Sequence, residues 1–119
     1  MNWQFSNNAP IYAQLVGQIR AGIVSGALAP GERLMSVRDL AMEAGVNPNT
    51  MQRALAQLEQ DGLARADRTA GRLVTQDTAV LDAARRAEAR VIMEQYFDAM
   101  AQLGFSRQQA AELLREEES

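Results

Sequence analysis

EAGVNPNTMQRALAQLEQDG, residues 43–62, sets a proline at the point where a helical repeat begins. Asn47 can serve as an N-cap, and Pro48 suits the first helical position, where its missing N–H would have had no partner anyway. The spacing predicts a helix from Pro48 through about Glu59, closed by Gly62. At about 100° per residue, Met51, Ala54, Leu55 and Leu58 gather on one side, and Asn49, Gln52, Arg53 and Ala56 on the other. The first set reads as a core face. The second is polar, with one small residue.

Just upstream, MSVRDLAMEAG (35–45) opens on Ser36, whose hydroxyl can cap a helix, with Asp39 three residues on and Met35 and Leu40 placed to form a hydrophobic staple. Gly45 supplies the left-handed residue at which such a helix stops. Two helices joined by a turn of about three or four residues make a helix-turn-helix. Before it, Pro10 at a first helical position and Ile11, Tyr12, Leu15, Ile19 and Ile23 at helical spacing predict a helix ending near Ser25–Gly26. Pro30–Gly31 then suits a type II turn, and Leu28 and Leu34 are expected to anchor that loop to the core.

After the helix-turn-helix, LARADRTAGRLVT (63–75) alternates apolar residues around DRTAG, the pattern of a two-stranded hairpin with a glycine-bearing turn. Arg65, Arg68 and Arg72 lie on or beside it, where they can keep edge strands soluble or meet phosphates. From Asp77 or Thr78 a long helix is expected to reach Leu103, with Ile92, Tyr96, Ala99, Met100 and Leu103 at helical spacing. Val80, Leu81, Val91, Met93 and Phe97 widen its apolar surface beyond one stripe, so it wants more than one neighbour. Gly104 ends it. Phe105 and Ala110 can staple the next start, Ser106 and Gln109 form a capping box for a last short helix with Leu113 and Leu114, and REEES is expected to be a solvated, frayed end.

A chain of 119 residues, 47% hydrophobic, suits one compact core and an appendage. No apolar run is long enough to cross a bilayer and the N-terminus lacks a secretory pattern, so a cytoplasmic protein is expected. The absence of cysteine and histidine excludes disulfides, thiolate metal sites and the commonest general base. Scattered carboxylates such as Glu43, Glu59 and Asp61 form no convincing catalytic pair, and the chain is not expected to be an enzyme or to need a cofactor or metal. The net charge of −3 is uneven: residues 1–75 carry seven Arg against six acids, and residues 76–119 five Arg against nine. Every basic residue is Arg, a planar fork suited to phosphate or to a guanine edge.

The stretch PIYAQLVGQIRAGIVSGALAPGERLMSVRDLAMEAGVNPNTMQRALAQLEQDGL, with the GRLV that follows, resembles the DNA-binding domain of GntR-family bacterial transcription regulators. The resemblance implies a winged helix-turn-helix over residues 1–75. The short remainder, residues 76–119, resembles the YtrA-like branch, which implies a two-helix extension for dimerisation. The fold expected is mainly α with a small β-hairpin. By matching position, Ser36 and Arg38 fall where the family touches phosphate and base at the start of its second helix. Asn49, Thr50 and Arg53 fall on the recognition helix, and Gly71 at the wing-tip glycine. Met35 stands where the family usually has proline. Thr69 and Leu73 stand where it usually has a second glycine and an aromatic, which leaves the depth of wing insertion open.

The function expected is that of a homodimer binding inverted-repeat operator DNA, as a repressor. Ser36, Arg38, Asn49, Thr50, Gln52, Arg53, Arg68, Thr69, Gly71 and Arg72 are the candidate DNA contacts; Val91, Ile92, Tyr96, Met100 and Leu103 are the candidate dimer contacts. Half-sites are expected about 10 to 10.5 base pairs apart. The alternative is a protein-interaction module on a winged helix that no longer binds DNA, against which stands the retention of Ser36, Arg38, Asn49, Thr50 and Arg53 together. A small-molecule effector is left open, and metal sensing through histidines is excluded by composition.

Overall fold

The computed structural model describes residues 1–118; the solvated end expected at REEES therefore lies partly, at Ser119, outside the described residues. The element order is α1 (Ile11–Ser25), α2 (Val37–Ala44), α3 (Pro48–Gln60), β1 (Ala64–Asp67), β2 (Gly71–Val74), α4 (Thr78–Gln102) and α5 (Arg107–Glu118). This is the mainly helical winged fold that the sequence implies. The chain divides into two compact units, Met1–Ala83 and Ala84–Ser119. The division falls inside α4, whose first turns, with Leu81 buried, belong to the winged unit.

The helix boundaries follow from their caps. The Ser36 hydroxyl accepts from the Asp39 N–H at 3.1 Å, the Asn47 side chain from the Asn49 N–H at 2.8 Å, and the Asp77 carboxylate from the Ala79 N–H at 3.0 Å. Each occupies an amide that the helix itself leaves unpaired. Pro10 sits one residue outside its expected place, as the extended residue before α1, with its carbonyl accepting from Gln14. Leu40 is buried and Met35 is half-exposed, both lining one pocket beside α2.

The winged unit's core is built by Leu15, Ile19 and Ile23 of α1, Met51, Leu55 and Leu58 of α3, and Leu63 and Val74 of the hairpin, all fully buried. Burial of each such side chain stabilises by about 1.5–3 kcal/mol. Leu40 and Leu34 close the side toward α2. In the hairpin, Ala64 pairs with Val74 and Asp67 with Gly71. The loop after α1 makes the expected turn, with the Glu32 N–H donating to the Ala29 carbonyl and Gly31 at positive φ. It then does something the sequence did not announce: Gly31 and Leu34 donate to the Val74 and Arg72 carbonyls and Val74 donates to Glu32, each at 2.9 Å. Residues 31–34 thus cover the outer edge of β2, through a bridge between Arg33 and Leu73.

The second unit holds the remainder of α4 and α5. Gly104 adopts positive φ after α4, and Ser106 and Gln109 cap α5 reciprocally, the Ser106 N–H donating to Gln109 Oε1 at 2.8 Å and the Gln109 N–H to Ser106 Oγ at 3.1 Å. Tyr96 donates its hydroxyl to the Ala110 carbonyl at 2.6 Å, and Arg107 forks onto Glu94 while lying 4.1 Å from the Phe97 ring centroid. The hydrogen bond from Arg107 holds the Glu94 carboxyl below its usual range, and the same bond holds the guanidinium's pKa up. Helix α5 runs through Glu118 with its last residues exposed, as a solvated end should be, and the Arg115 guanidinium pairs with Glu112 one turn back at 2.5 Å. Ala110 is buried, but Val91, Ile92 and Leu103 are exposed at 55%, 66% and 73%.

Candidate nucleic-acid interface

Asn47 and Pro48 fix where α3 begins and so which of its side chains face outward. Met51, Ala54, Leu55 and Leu58 are wholly buried, as their spacing predicts, which leaves Asn49, Gln52, Arg53 and Ala56 exposed on the opposite side. Among the described residues, the side chains of Asn49 and Gln52 make no hydrogen bond within the chain, so their amide donors and acceptors are available to a ligand. Such amides can bind an adenine edge in two places at once. Thr50 is half-buried beside them. Across the turn, Ser36 and Arg38 are exposed at the start of α2. Ser36 Oγ spends one acceptor site on its cap and keeps its O–H to donate.

The wing is ordered from within. One oxygen of Asp67 accepts from the Thr69 N–H, the Thr69 hydroxyl and the Ala70 N–H, each at 2.9 Å, and these bonds, led by that from Ala70, hold the carboxyl below its ordinary pKa. Both donors of Thr69 are therefore spent on the turn. Gly71 follows at φ 84°, where an added Cβ would meet nothing within 4 Å; the backbone conformation, and not space, calls for glycine. Arg68 is exposed at the tip. Arg72 is half-buried and ion-paired to Glu59 of α3, which ties the wing to the recognition helix. Between Ser36, Glu59 and Arg72 lies an open cleft of about 340 Å³.

In the sequence Tyr12 is one more member of the apolar repeat of α1, yet its hydroxyl donates to Gln57 Oε1 at 3.2 Å and its ring lies 4.6 Å from the Arg53 guanidinium carbon. Gln57 in turn donates to Asp61 at 2.9 Å, and Asp61 accepts from Arg20 at 2.8 Å. The spacing of Arg53 and Gln57 on α3 and Asp61 at its C-cap, one turn apart, is visible in the sequence; their alignment with Tyr12 and Arg20 on α1 is not.

An exposed, capped second helix with a wing beside it is a DNA-reading geometry. The family model for bacterial regulatory proteins of the gntR family matches residues 11–74, the span from α1 to the end of the wing. The chain belongs to the GntR family. Among GntR relatives, the HTH-type transcriptional regulator YhcF of Bacillus subtilis is 32% identical over 94% of this chain and 93% of its own length. The HTH-type transcriptional repressor YtrA of the same organism is 34% identical over 60% of this chain and 55% of its own. A GntR-family regulator from Listeria monocytogenes superposes with a TM-score of 0.81 at 32% identity, covering 94% of this chain and 98% of that one. The DNA-binding domain of AraR, solved with its operator ORX1, gives a TM-score of 0.54 at 25% identity over 63% of this chain and 92% of that one. The GntR chain is thus a transcription regulator with a DNA-binding helix-turn-helix.

Proposed function

We propose that the protein is a sequence-specific repressor that binds an inverted-repeat operator as a homodimer in the cytoplasm. The observation that carries this reading is the outward face of α3, where Asn49, Gln52 and Arg53 stand exposed on a helix whose opposite side is wholly buried. Arg53 and Arg38 contact guanine or phosphate, Asn49 and Gln52 discriminate bases, and Ser36, Thr50 and Arg68 fix register on the backbone. Gly71 shapes the wing tip. Arg72 and Thr69, engaged by Glu59 and Asp67, serve the wing's position before they serve the DNA.

Pairing of two copies through the second unit is supported by Val91 and Ile92 of α4 and Leu103 just past its end, which leave apolar surface exposed. Tyr96 and Met100, which share the helical spacing of Ile92 and Leu103, are half-buried, and Tyr96 is bonded to α5, so part of their surface already serves the hairpin. Blocking of a promoter is the simplest action for such a dimer, and the name of the YtrA relative is consistent with repression.

Selection of bound duplexes from a randomised pool tests the reading directly. It should return a two-fold symmetric motif with half-sites about 10 to 10.5 base pairs apart. Fluorescence anisotropy on that duplex should show a loss for Arg53→Ala and a steep fall of affinity with salt. No enriched motif, or a stoichiometric protein partner recovered in place of DNA, would overturn it.

A further inference from the structure

Arginines in this chain fall into different states. Arg20 and Arg72 are spent on carboxylates, and so is Arg107. Arg38 and Arg68 are exposed, and among the described residues neither is bonded to another group. Arg53 is different: it lies over the Tyr12 ring at 4.6 Å, yet among the described residues none of its five N–H donors is taken by a hydrogen bond. It is held without being used.

We infer that Tyr12 is a positioning residue for base readout, a role that rests on the DNA-binding reading of Arg53 above. An arginine side chain has large rotamer entropy, part of which must be lost when its fork docks on a guanine. A cation over a ring loses some of that freedom in advance, and the attraction is to the ring's quadrupole, so it consumes no donor. A carboxylate in the same place would restrain Arg53 but occupy the donors that read the base. Tyr12 is itself fixed: its hydroxyl is bonded to Gln57, Gln57 to Asp61, and Asp61 to Arg20. This seam runs between α1 and α3 and ends at Arg53. Helix α1, which carries no outward-facing reading residue of its own, thereby sets the aim of one on α3.

The test is a double-mutant cycle on the selected operator and on duplexes in which each guanine is replaced in turn, using the full chain. Tyr12→Leu should weaken operator binding about two- to fivefold, the range for an exposed cation–ring contact. The loss should fall on discrimination at the guanine that Arg53 reads and leave the salt slope unchanged. Tyr12→Phe, which keeps the ring, should retain that discrimination, and adding Tyr12→Leu to Arg53→Ala should cost nothing further. The δ protons of Arg53 should show an upfield ring-current shift in the free wild-type protein, and this measurement stands even if Tyr12→Leu fails to fold. Additive losses, a uniform loss on all duplexes, or an unshifted Arg53 signal would overturn the role of Tyr12. A silent Arg53→Ala would instead overturn the DNA-contact assignment on which it rests.

Discussion

Replacing Glu59 with glutamine should weaken the fold and, at the same time, tighten non-specific DNA binding. Glu59 pairs with Arg72 across the junction of α3 and the wing, and the two side chains are 31% and 20% exposed. The pair therefore lies between an open surface bridge, worth about 0–1 kcal/mol, and a buried one, whose rupture costs about 3–5 kcal/mol. Glutamine keeps the shape and one acceptor oxygen, so about 1 kcal/mol should be lost. In a folding unit of this size that lowers Tm by roughly 4–8 °C, readable by circular dichroism. If the wing approaches the DNA backbone as proposed, loss of the opposing charge leaves the Arg72 guanidinium freer to meet a phosphate. If it neutralises one further phosphate, the slope of log K against log salt should steepen by about 0.9, an additional loss of about threefold between roughly 50 and 200 mM salt. Fluorescence anisotropy on a random-sequence duplex measures this. An unchanged Tm together with an unchanged slope would refute both the clamp and the competition between Glu59 and phosphate.

Leu55→Ala, at a fully buried position between the helices, should cost about 2–5 kcal/mol, checked by urea denaturation. Gly71→Ala meets no steric obstacle, so it should cost only the positive-φ strain, about 1 kcal/mol, seen as a modest shift in the same denaturation midpoint. The depressed pKa of Asp67, from its bonds to the Ala70 and Thr69 amides, stabilises the wing tip fully above the unfolded-chain value of about 3.9. That contribution should be lost as pH falls through the lower folded value, followed by NMR through the Thr69 and Ala70 amide signals and abolished in Asp67→Asn. Ile92→Glu with Leu103→Glu should convert a dimer to monomer in sedimentation velocity without lowering helix content; a monomeric wild type would remove the basis for the paired-half-site reading.

Local chemistry made much of the fold legible in advance. Asn47 with Pro48, Ser36, and the Ser106–Gln109 pair announce helix starts because a cap satisfies amides only a few residues away. The inner face of α3 follows from periodicity alone. What stayed hidden joins residues distant in the chain: Glu59 to Arg72, Tyr12 to Arg53, and residues 31–34 to the edge of β2. Arg72 illustrates the limit, since its charge and its place on the wing are visible in sequence, while the partner that engages it lies on another element.

The unbonded side chains of Asn49 and Gln52 bear on how such a regulator can diverge. Substitutions at exposed positions that hold no intramolecular contact usually change stability by no more than about 0.5 kcal/mol. These two sites and Ala56 can therefore be exchanged for other residues with little risk to folding, whereas a change at Arg53 also disturbs the seam to Tyr12. Duplicated copies of the gene could drift toward new operators through the first group while inheriting Arg53, the proposed base contact, unchanged. A library randomised at Asn49, Gln52 and Ala56 should accordingly yield many folded members with altered base preference.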